Sequence, residues 1–254
     1  MAKPKALIYD ETTLIDTAKY KPYYASHVKF KGKLEIRNAI PWTEKQKELI
    51  ELIENKETRA VFVDGPAGTS KTLSSIFASL EMLRDKKIGK IYYCRSAVES
   101  STKSLGFLPG THLQKMENYL LPLEDKLTEL LDAGTITNLK TALHIEGFAV
   151  NYARGRNLYD CILIVDECQN MEFMEIQTLM TRLSNHAKVI FLADHSQCDL
   201  KYNKNDASSI FKLFSDEESA SFGIRKFTFT EEDIVRSEFC KFVVKKFATL
   251  KKDS

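Results

Sequence analysis

The chain has 254 residues, of which 43% are hydrophobic and 28% are charged, and its formal net charge is +2. These values are close to the averages for soluble globular proteins and exclude extensive disorder, while the balanced charge does not by itself indicate a nucleic-acid-binding protein. The length fits one α/β domain, with or without an appendage, better than two full domains.

The cysteines and the hydropathy of the chain indicate the cellular compartment in which the protein is expected. The five cysteines are odd in number and include no Cys-x-x-Cys pair, so we expect neither a disulfide framework nor a structural zinc site. The longest apolar runs have the length of strands, and the N-terminus shows no signal-like apolar stretch. We therefore expect a cytoplasmic protein that is not associated with a membrane.

Residues 1–40 are more basic than the rest of the chain. They contain eight Lys or Arg against four Asp or Glu, a net charge of +4, and aromatic residues lie among the lysines. Those that interleave with the lysines are Tyr20, Tyr23, Tyr24 and Phe30. We expect a basic N-terminal extension. Its composition suits contact with single-stranded nucleic acid, but an arm whose rings pack on the core is favoured.

The main domain is predicted from residue 41 onward, and its first helix follows Thr43. The amide of Gln46 can hydrogen-bond the edge of an adenine base. Thr43 and Gln46 also have the spacing of a capping box, in which the glutamine only satisfies the helix N-terminus. Both interpretations remain open at this point.

Strand-like apolar runs alternate with helical segments from residue 60 onward, which predicts a mostly parallel sheet flanked by helices. The runs are 60–63, 90–94, 161–165, 188–193 and 225–230. Two helices are expected to bury one apolar face each. These faces are Leu73, Ile76, Phe77, Leu80 and Leu83, and Phe173, Ile176, Leu179, Met180 and Leu183. Residues 98–153 are too many for a simple crossover and are predicted to be an insertion with a helix from His112.

A glycine-rich segment between the first strand and the next helix predicts a phosphate-binding loop. The segment is Gly65-Pro66-Ala67-Gly68-Thr69-Ser70-Lys71-Thr72. Backbone N–H groups of such a loop surround phosphate, the lysine reaches the β and γ phosphates, and the threonine hydroxyl ligates Mg²⁺. Ser70 stands where the loop usually has glycine. The loop can therefore form only if the φ angle at this position is one that a residue other than glycine can adopt.

Two acidic residues end the third predicted strand. Asp166 and Glu167 follow a buried run and should therefore lie at the carboxyl edge of the sheet. Asp166 can orient the Mg²⁺ shell, and Glu167 can act as general base toward the attacking water. Together with the phosphate loop they predict ATP hydrolysis. The alternative is that both acids only stabilise the first turn of the following helix.

The next strand leads to Asp194 and Gln197 at the same edge. Gln197 is predicted to hold the attacking water or to sense the γ-phosphate, with an ordinary polar loop as the equal alternative. A positive side chain is also expected to stabilise the transition state, and one can come from a neighbouring subunit. The candidates are Arg95, Arg154, Arg156, Arg182 and Arg236.

The order and spacing of these motifs resemble the PhoH family of ATPases, whose core is similar to that of superfamily 1 helicases. The resemblance covers roughly residues 41–245. Beside the nucleotide motifs it rests on Leu105-Gly106-Phe107-Leu108-Pro109-Gly110, Arg154-Gly155-Arg156, Gln169-Asn170, Thr181-Arg182, Asp199-Leu200 and Asp233-Ile234-Val235-Arg236. Four positions depart from the family pattern, namely Ser70, Ser96, Ala193 and Ser237. They indicate a divergent member, of the compact kind found in phage genomes.

The resemblance implies a RecA-like P-loop NTPase fold, ATP with Mg²⁺, a homo-oligomeric ring that is often hexameric, and a role around RNA or single-stranded nucleic acid. It also implies that Gln46 contacts adenine and that Arg236 contacts the γ-phosphate. The leading hypothesis is an ATPase that remodels RNA, as a helicase does. A nucleotide-gated RNA-binding protein with weak or no hydrolysis is the alternative, and a small-molecule kinase is a third.

Overall fold

The computed structural model describes residues 32–37, 39–95, 112–153, 156–184, 186–194, 207–243 and 246. Within these ranges the chain forms one parallel sheet with helices on both faces. The helices are α1 (Glu44–Glu54), α2 (Lys71–Arg84), α3 (His112–Leu130), α4 (Ala133–Thr141), α5 (Phe173–Met180), α6 (Ala207–Leu213) and α7 (Glu217–Ser221). The strands are β1 (Ala60–Asp64), β2 (Lys90–Arg95), β3 (Ile145–Ala149), β4 (Cys161–Asp166), β5 (Ala187–Ala193) and β6 (Ile224–Thr228).

The sheet has the strand order β3-β2-β4-β5-β1-β6, and every neighbouring pair is parallel. Strand β5 lies between β1, which leads into the phosphate loop, and β4, which carries the acidic pair. The carboxyl ends of these three central strands therefore meet at one edge of the sheet. The mostly parallel sheet flanked by helices that the sequence predicts is confirmed.

Helix α2 is the central helix on one face of the sheet. All five apolar residues predicted to form its buried face are buried, since periodic spacing of 3.6 residues aligns them toward the sheet. On the opposite face, Ile176 and Leu179 of α5 are buried as predicted, whereas Phe173 and Met180 are only partly buried and pack against the same core. Leu183 lies beyond the end of α5, where it forms an isolated bridge with Leu158.

Three sequence predictions need correction. Strand β3 was not predicted, and it pairs with β2, so residues 145–149 belong to the sheet although they fall within the predicted insertion. Strand β5 begins one residue earlier than expected, at Ala187. Strand β6 ends at Thr228, because the following Thr230 already caps a short 3-10 helix, Glu231–Asp233.

Several predicted features lie outside the described residues. They are nearly all of the basic extension, the Leu105–Gly110 motif, Ser96, Arg154, Asp199, Leu200 and Gln197. Among the residues that are described, no helix has the length and apolar character needed to cross a membrane. Four cysteines in these ranges carry free thiols, namely Cys94, Cys161, Cys168 and Cys240.

Candidate active site

The phosphate loop runs from the end of β1 to the first turn of α2. Gly65 packs against Phe229 so closely that a Cβ at residue 65 would lie 2.6 Å from the Cβ of Phe229. Gly68 has φ +93°, a left-handed value that favours glycine. Thr69 closes the turn, since its hydroxyl donates to the carbonyl of Pro66 at 3.0 Å. The loop is thus built in the strand-to-helix context that a phosphate site requires.

Ser70 adopts φ 64° and ψ 26° at the N-terminus of α2. This is the left-handed region, which non-glycine residues can occupy at a cost of about 1 kcal/mol. The φ angle of Ser70 is therefore one that a residue other than glycine can adopt, as the sequence analysis required. Ser70 thus adopts a conformation that glycine would adopt at a lower cost.

The Lys71 ammonium lies across the loop. Its Nζ donates to the carbonyl of Gly65 at 2.6 Å and to that of Pro66 at 3.0 Å. Burial lowers the pKa of Lys71, and the nearby carboxylates of Asp194 and Asp166 oppose that shift. The lysine is therefore a desolvated cation at the point where phosphates would enter.

Asp166 joins the end of β4 to the phosphate loop. Its Oδ2 accepts a hydrogen bond from the Thr72 hydroxyl at 3.2 Å and one from the Tyr93 hydroxyl at 2.8 Å. Burial and the adjacent Asp166 carboxylate raise the pKa of Tyr93 well above its usual range, so the phenol stays a neutral donor. A carboxylate and a hydroxyl in contact are oxygen ligands of the kind that Mg²⁺ binds together with substrate phosphates. These residues fit a Mg²⁺ site.

Glu167 has a left-handed backbone, with φ 56° and ψ 36°, and precedes a short 3-10 helix, Cys168–Asn170. Its side chain makes no capping hydrogen bond to that helix. Its Oε2 accepts from Gln169 Nε2 at 2.6 Å, and its Oε1 lies 3.7 Å from a guanidinium nitrogen of Arg95. A strained conformation of this kind costs about 1–3 kcal/mol and is commonest at functional sites.

Gln46 is buried and makes contacts in two directions. It completes the capping box of α1, since its Oε1 accepts from the Thr43 N–H at 3.0 Å and its own N–H donates to the Thr43 hydroxyl. Its Nε2 donates to the carbonyl of Thr69 at 3.3 Å, which ties α1 to the phosphate loop. The capping interpretation is therefore confirmed, and the adenine contact stays a prediction.

The candidate arginines separate into two groups. Arg95 and Arg236 reach the site. Arg95 lies beside Glu167. Arg236 lines the cleft because the Val235 N–H donates to the Gly68 carbonyl at 3.0 Å, which holds the segment after β6 over the loop. Arg156 pairs with Glu146 at 2.6 Å on strand β3. Arg182 lies in the turn after α5, where its carbonyl accepts from the N–H of Leu158. Leu158 precedes β4, so Arg182 lies near the amino edge of the sheet, away from the site.

These elements enclose a cleft of about 290 Å³, near the lower limit of ligand pockets. Its walls include the phosphate loop, Asp166, Glu167 and the buried Asp194. Lys126 and Glu129 of α3 also line the cleft, and sequence reasoning missed both. They are more than fifty residues from the loop in sequence, and no local pattern marks them, so only the tertiary packing of α3 reveals them.

Comparison with known proteins gives a consistent family match. The family model described as PhoH-like protein matches residues 38–248. Protein PhoH of Escherichia coli (strain K12) is 32% identical over 203 residues, which cover 78% of this chain and 55% of that protein. The PhoH-like protein of Bacillus subtilis (strain 168) is 40% identical over 145 residues, 57% of this chain and 45% of that protein. The chain spans about half the length of these relatives.

Similarity to solved structures is more distant. The large terminase of a thermophilic bacteriophage, in complex with ADP, is 13% identical and has a TM-score of 0.49, with coverage of 78% of this chain and 48% of that one. The Pif1 helicase of Candida albicans is 17% identical, with a TM-score of 0.38 and coverage of 75% and 40%. Both are too distant to bear on function.

Proposed function

This chain belongs to the PhoH family and has a RecA-like P-loop NTPase fold, and we propose that its cleft binds ATP with Mg²⁺ and hydrolyses it. The observation that carries the proposal is the convergence of Lys71, Thr72, Asp166 and Glu167 at one edge of the sheet. A cation, a pair of metal-type oxygen ligands and a carboxylate base are the groups that phosphoryl transfer to water requires.

The phosphate-binding part of the site positions the triphosphate. The N–H groups of the loop and the N-terminus of α2 would surround the bound phosphates, and Lys71 would place its charge beside the β and γ phosphates. Mg²⁺ held by Thr72 and Asp166 would neutralise charge on the phosphate oxygens. Arg236, held over Gly68, supplies a second positive charge where the γ-phosphoryl group leaves ADP.

Glu167 activates the water. As the water oxygen forms its bond to the γ-phosphorus, the bond from that phosphorus to the bridging oxygen breaks and its electron pair stays on ADP. The proton of the water passes to the Glu167 carboxylate, whose side chain is 37% exposed and can return the proton to solvent. The charge left on the ADP oxygens lies beside Lys71 and the loop N–H groups.

We further propose that hydrolysis is coupled to binding and remodelling of RNA or single-stranded nucleic acid by a cytoplasmic homo-oligomer, a hexameric ring as the family resemblance implies. An exposed apolar surface beside Arg236 supports assembly. Phe239, Phe242 and Val235 are 74%, 58% and 46% exposed, and large apolar side chains that are exposed close together mark interaction sites.

Steady-state release of phosphate from ATP, with and without single-stranded RNA, tests this proposal. We expect Mg²⁺-dependent release that RNA accelerates. Binding of ATP without release would contradict hydrolysis and favour a nucleotide-gated RNA-binding protein. Transfer of the phosphate to a nucleoside or sugar would favour a kinase. Equal release with and without RNA would remove the coupling to nucleic acid but leave the ATPase assignment in place.

A further inference from the structure

Gln169 is a buried amide that contacts the general base. It is 1% exposed, it lies two residues after Glu167, and its Nε2 donates to Glu167 Oε2 at 2.6 Å. Its Oε1 accepts from the N–H of Asp194, the residue after β5, at 3.1 Å. One side chain thus bridges the base and the end of a neighbouring strand.

This contact orients the carboxylate of the base. The Glu167 carboxylate has two oxygens, and Gln169 binds one of them, so the other can face the attacking water. Arg95 lies 3.7 Å from that other oxygen, beyond normal hydrogen-bond distance. Gln169 makes the shorter contact and therefore holds the base more directly than Arg95 does.

The other end of the bridge is fixed to the phosphate loop. Strand β5 pairs with β1 on one side and β4 on the other, and the carbonyl of Ala193 accepts from the Gly65 N–H at 3.3 Å. The connection therefore runs from the loop at Gly65, through the end of β5 at Ala193 and Asp194, to Gln169 and Glu167. It thus connects the base to the loop at which phosphates would bind.

We propose that Gln169 is the positioning residue that holds Glu167 at the distance from the γ-phosphate that hydrolysis requires. The inference rests on the proposed hydrolysis. Displacement of a catalytic group by about 1 Å can lower the rate about 10²-fold, so loss of the bridge should act on kcat. In the part of the chain that the structure describes, the charged groups beside the bridge include Lys71 of α2, Arg95 of β2, Asp166 at the end of β4 and Asp194 just after β5, and any pH effect must be judged with them.

Two substitutions separate positioning from a general structural role. Gln169→Glu can still accept from the Asp194 N–H but cannot donate to Glu167 when ionised. Gln169→Met is similar in size and makes neither hydrogen bond. At about pH 8 we expect both variants to lose about 10²-fold in kcat with ATP affinity changed less than about twofold. Thermal unfolding shows whether each variant is folded, and Gln169→Met alone suffices for the kcat test.

The pH profile gives the sharper test. Two adjacent carboxylates bind one proton between them at a raised pKa, and the protonated group can donate to the other. The kcat deficit of Gln169→Glu should therefore shrink as the pH falls to about 6, whereas that of Gln169→Met should not. Three results would each overturn the inference alone. The first is wild-type kcat in both variants, and the second is a loss of ATP affinity instead of kcat. The third is a kcat deficit of Gln169→Glu that does not change with pH. No phosphate release by the wild type would overturn the proposed function and this inference together.

Discussion

The Thr72 hydroxyl donates to Asp166 Oδ2 at 3.2 Å, and this contact joins the start of α2 to the end of β4 across the intervening strand β5. It brings the two expected Mg²⁺ ligands together before any phosphate binds.

Removal of the Thr72 hydroxyl should weaken Mg²⁺ binding and lower the rate of hydrolysis. We expect Thr72→Val, which keeps the shape of the side chain, to lower phosphate release about 10²-fold and to raise the Mg²⁺ concentration needed for half-maximal activity, because one oxygen ligand is lost. Thr72→Ser keeps the oxygen and is the matched control, with activity close to wild type. Wild-type activity in Thr72→Val with a loss in Thr72→Ser, measured by Mg²⁺ titration of phosphate release, would show that the methyl group and not the hydroxyl matters.

Ser70→Gly tests the left-handed loop conformation. Glycine removes a cost of about 1 kcal/mol at this backbone conformation. It adds about 0.4–1 kcal/mol of unfolded-state entropy. The two terms leave a free energy of unfolding between the wild-type value and about 0.6 kcal/mol above it, which urea denaturation measures. Ser70→Ala keeps the Cβ and should not be stabilised. A marked loss of stability in Ser70→Gly would contradict the conformation assigned to Ser70.

Lys188 should make stability depend on pH above neutrality. Its ammonium donates to the carbonyls of Ile53 and Asn55 at the end of α1, and burial together with the nearby Arg59 and Lys87 lowers its pKa from 10.5 to about 8. Between these two values the folded protein binds fewer protons than the unfolded chain, so this residue makes stability rise with pH there. Urea denaturation at about pH 7.5 and about pH 9.5 should show a smaller rise in Lys188→Met than in wild type. The same rise in both proteins would show that Lys188 titrates normally.

Arg236 should act in the chemical step. We expect Arg236→Ala to lower kcat about 10³-fold and Arg236→Lys to recover little of it, because a lysine lacks the planar pair of donors that matches phosphoryl oxygens. Arg225 lies at the other end of β6, where it donates to the carbonyl of Ala220, so Arg225→Ala is the control and should retain activity. A large rise in KM at unchanged kcat would instead make Arg236 a binding residue.

Local sequence patterns predicted those parts of the molecule whose residues are contiguous. Strand β1, the phosphate loop and the buried face of α2 follow one another within residues 60–84, and each has its own signature of apolar runs, glycines or helical period. The acidic pair at the end of β4 could be found for the same reason. The alternation of strands and helices then placed loop and acids at one edge of the sheet without further information.

Strand β3 and the contacts around Glu167 could not be predicted in this way. Residues 145–149 contain Glu146 and Gly147, which break the apolar pattern. The structure explains both, because Glu146 pairs with Arg156, and Leu120 fills the space that a Cβ at residue 147 would need. The bridge from Gln169 to the end of β5 joins residues 25 positions apart. Contacts of this kind depend on tertiary packing and leave no local signature.

Phosphate release from Mg²⁺-ATP by Glu167→Gln, compared with wild type and with Glu51→Gln on the exposed face of α1, tests the central claim most directly. Because Glu167 is assigned as the general base, we expect Glu167→Gln to bind ATP as wild type does and to lose at least about 10²-fold in kcat. Glu51→Gln should release phosphate at the wild-type rate. Wild-type turnover in Glu167→Gln would contradict the assignment of the base and the mechanism built on it.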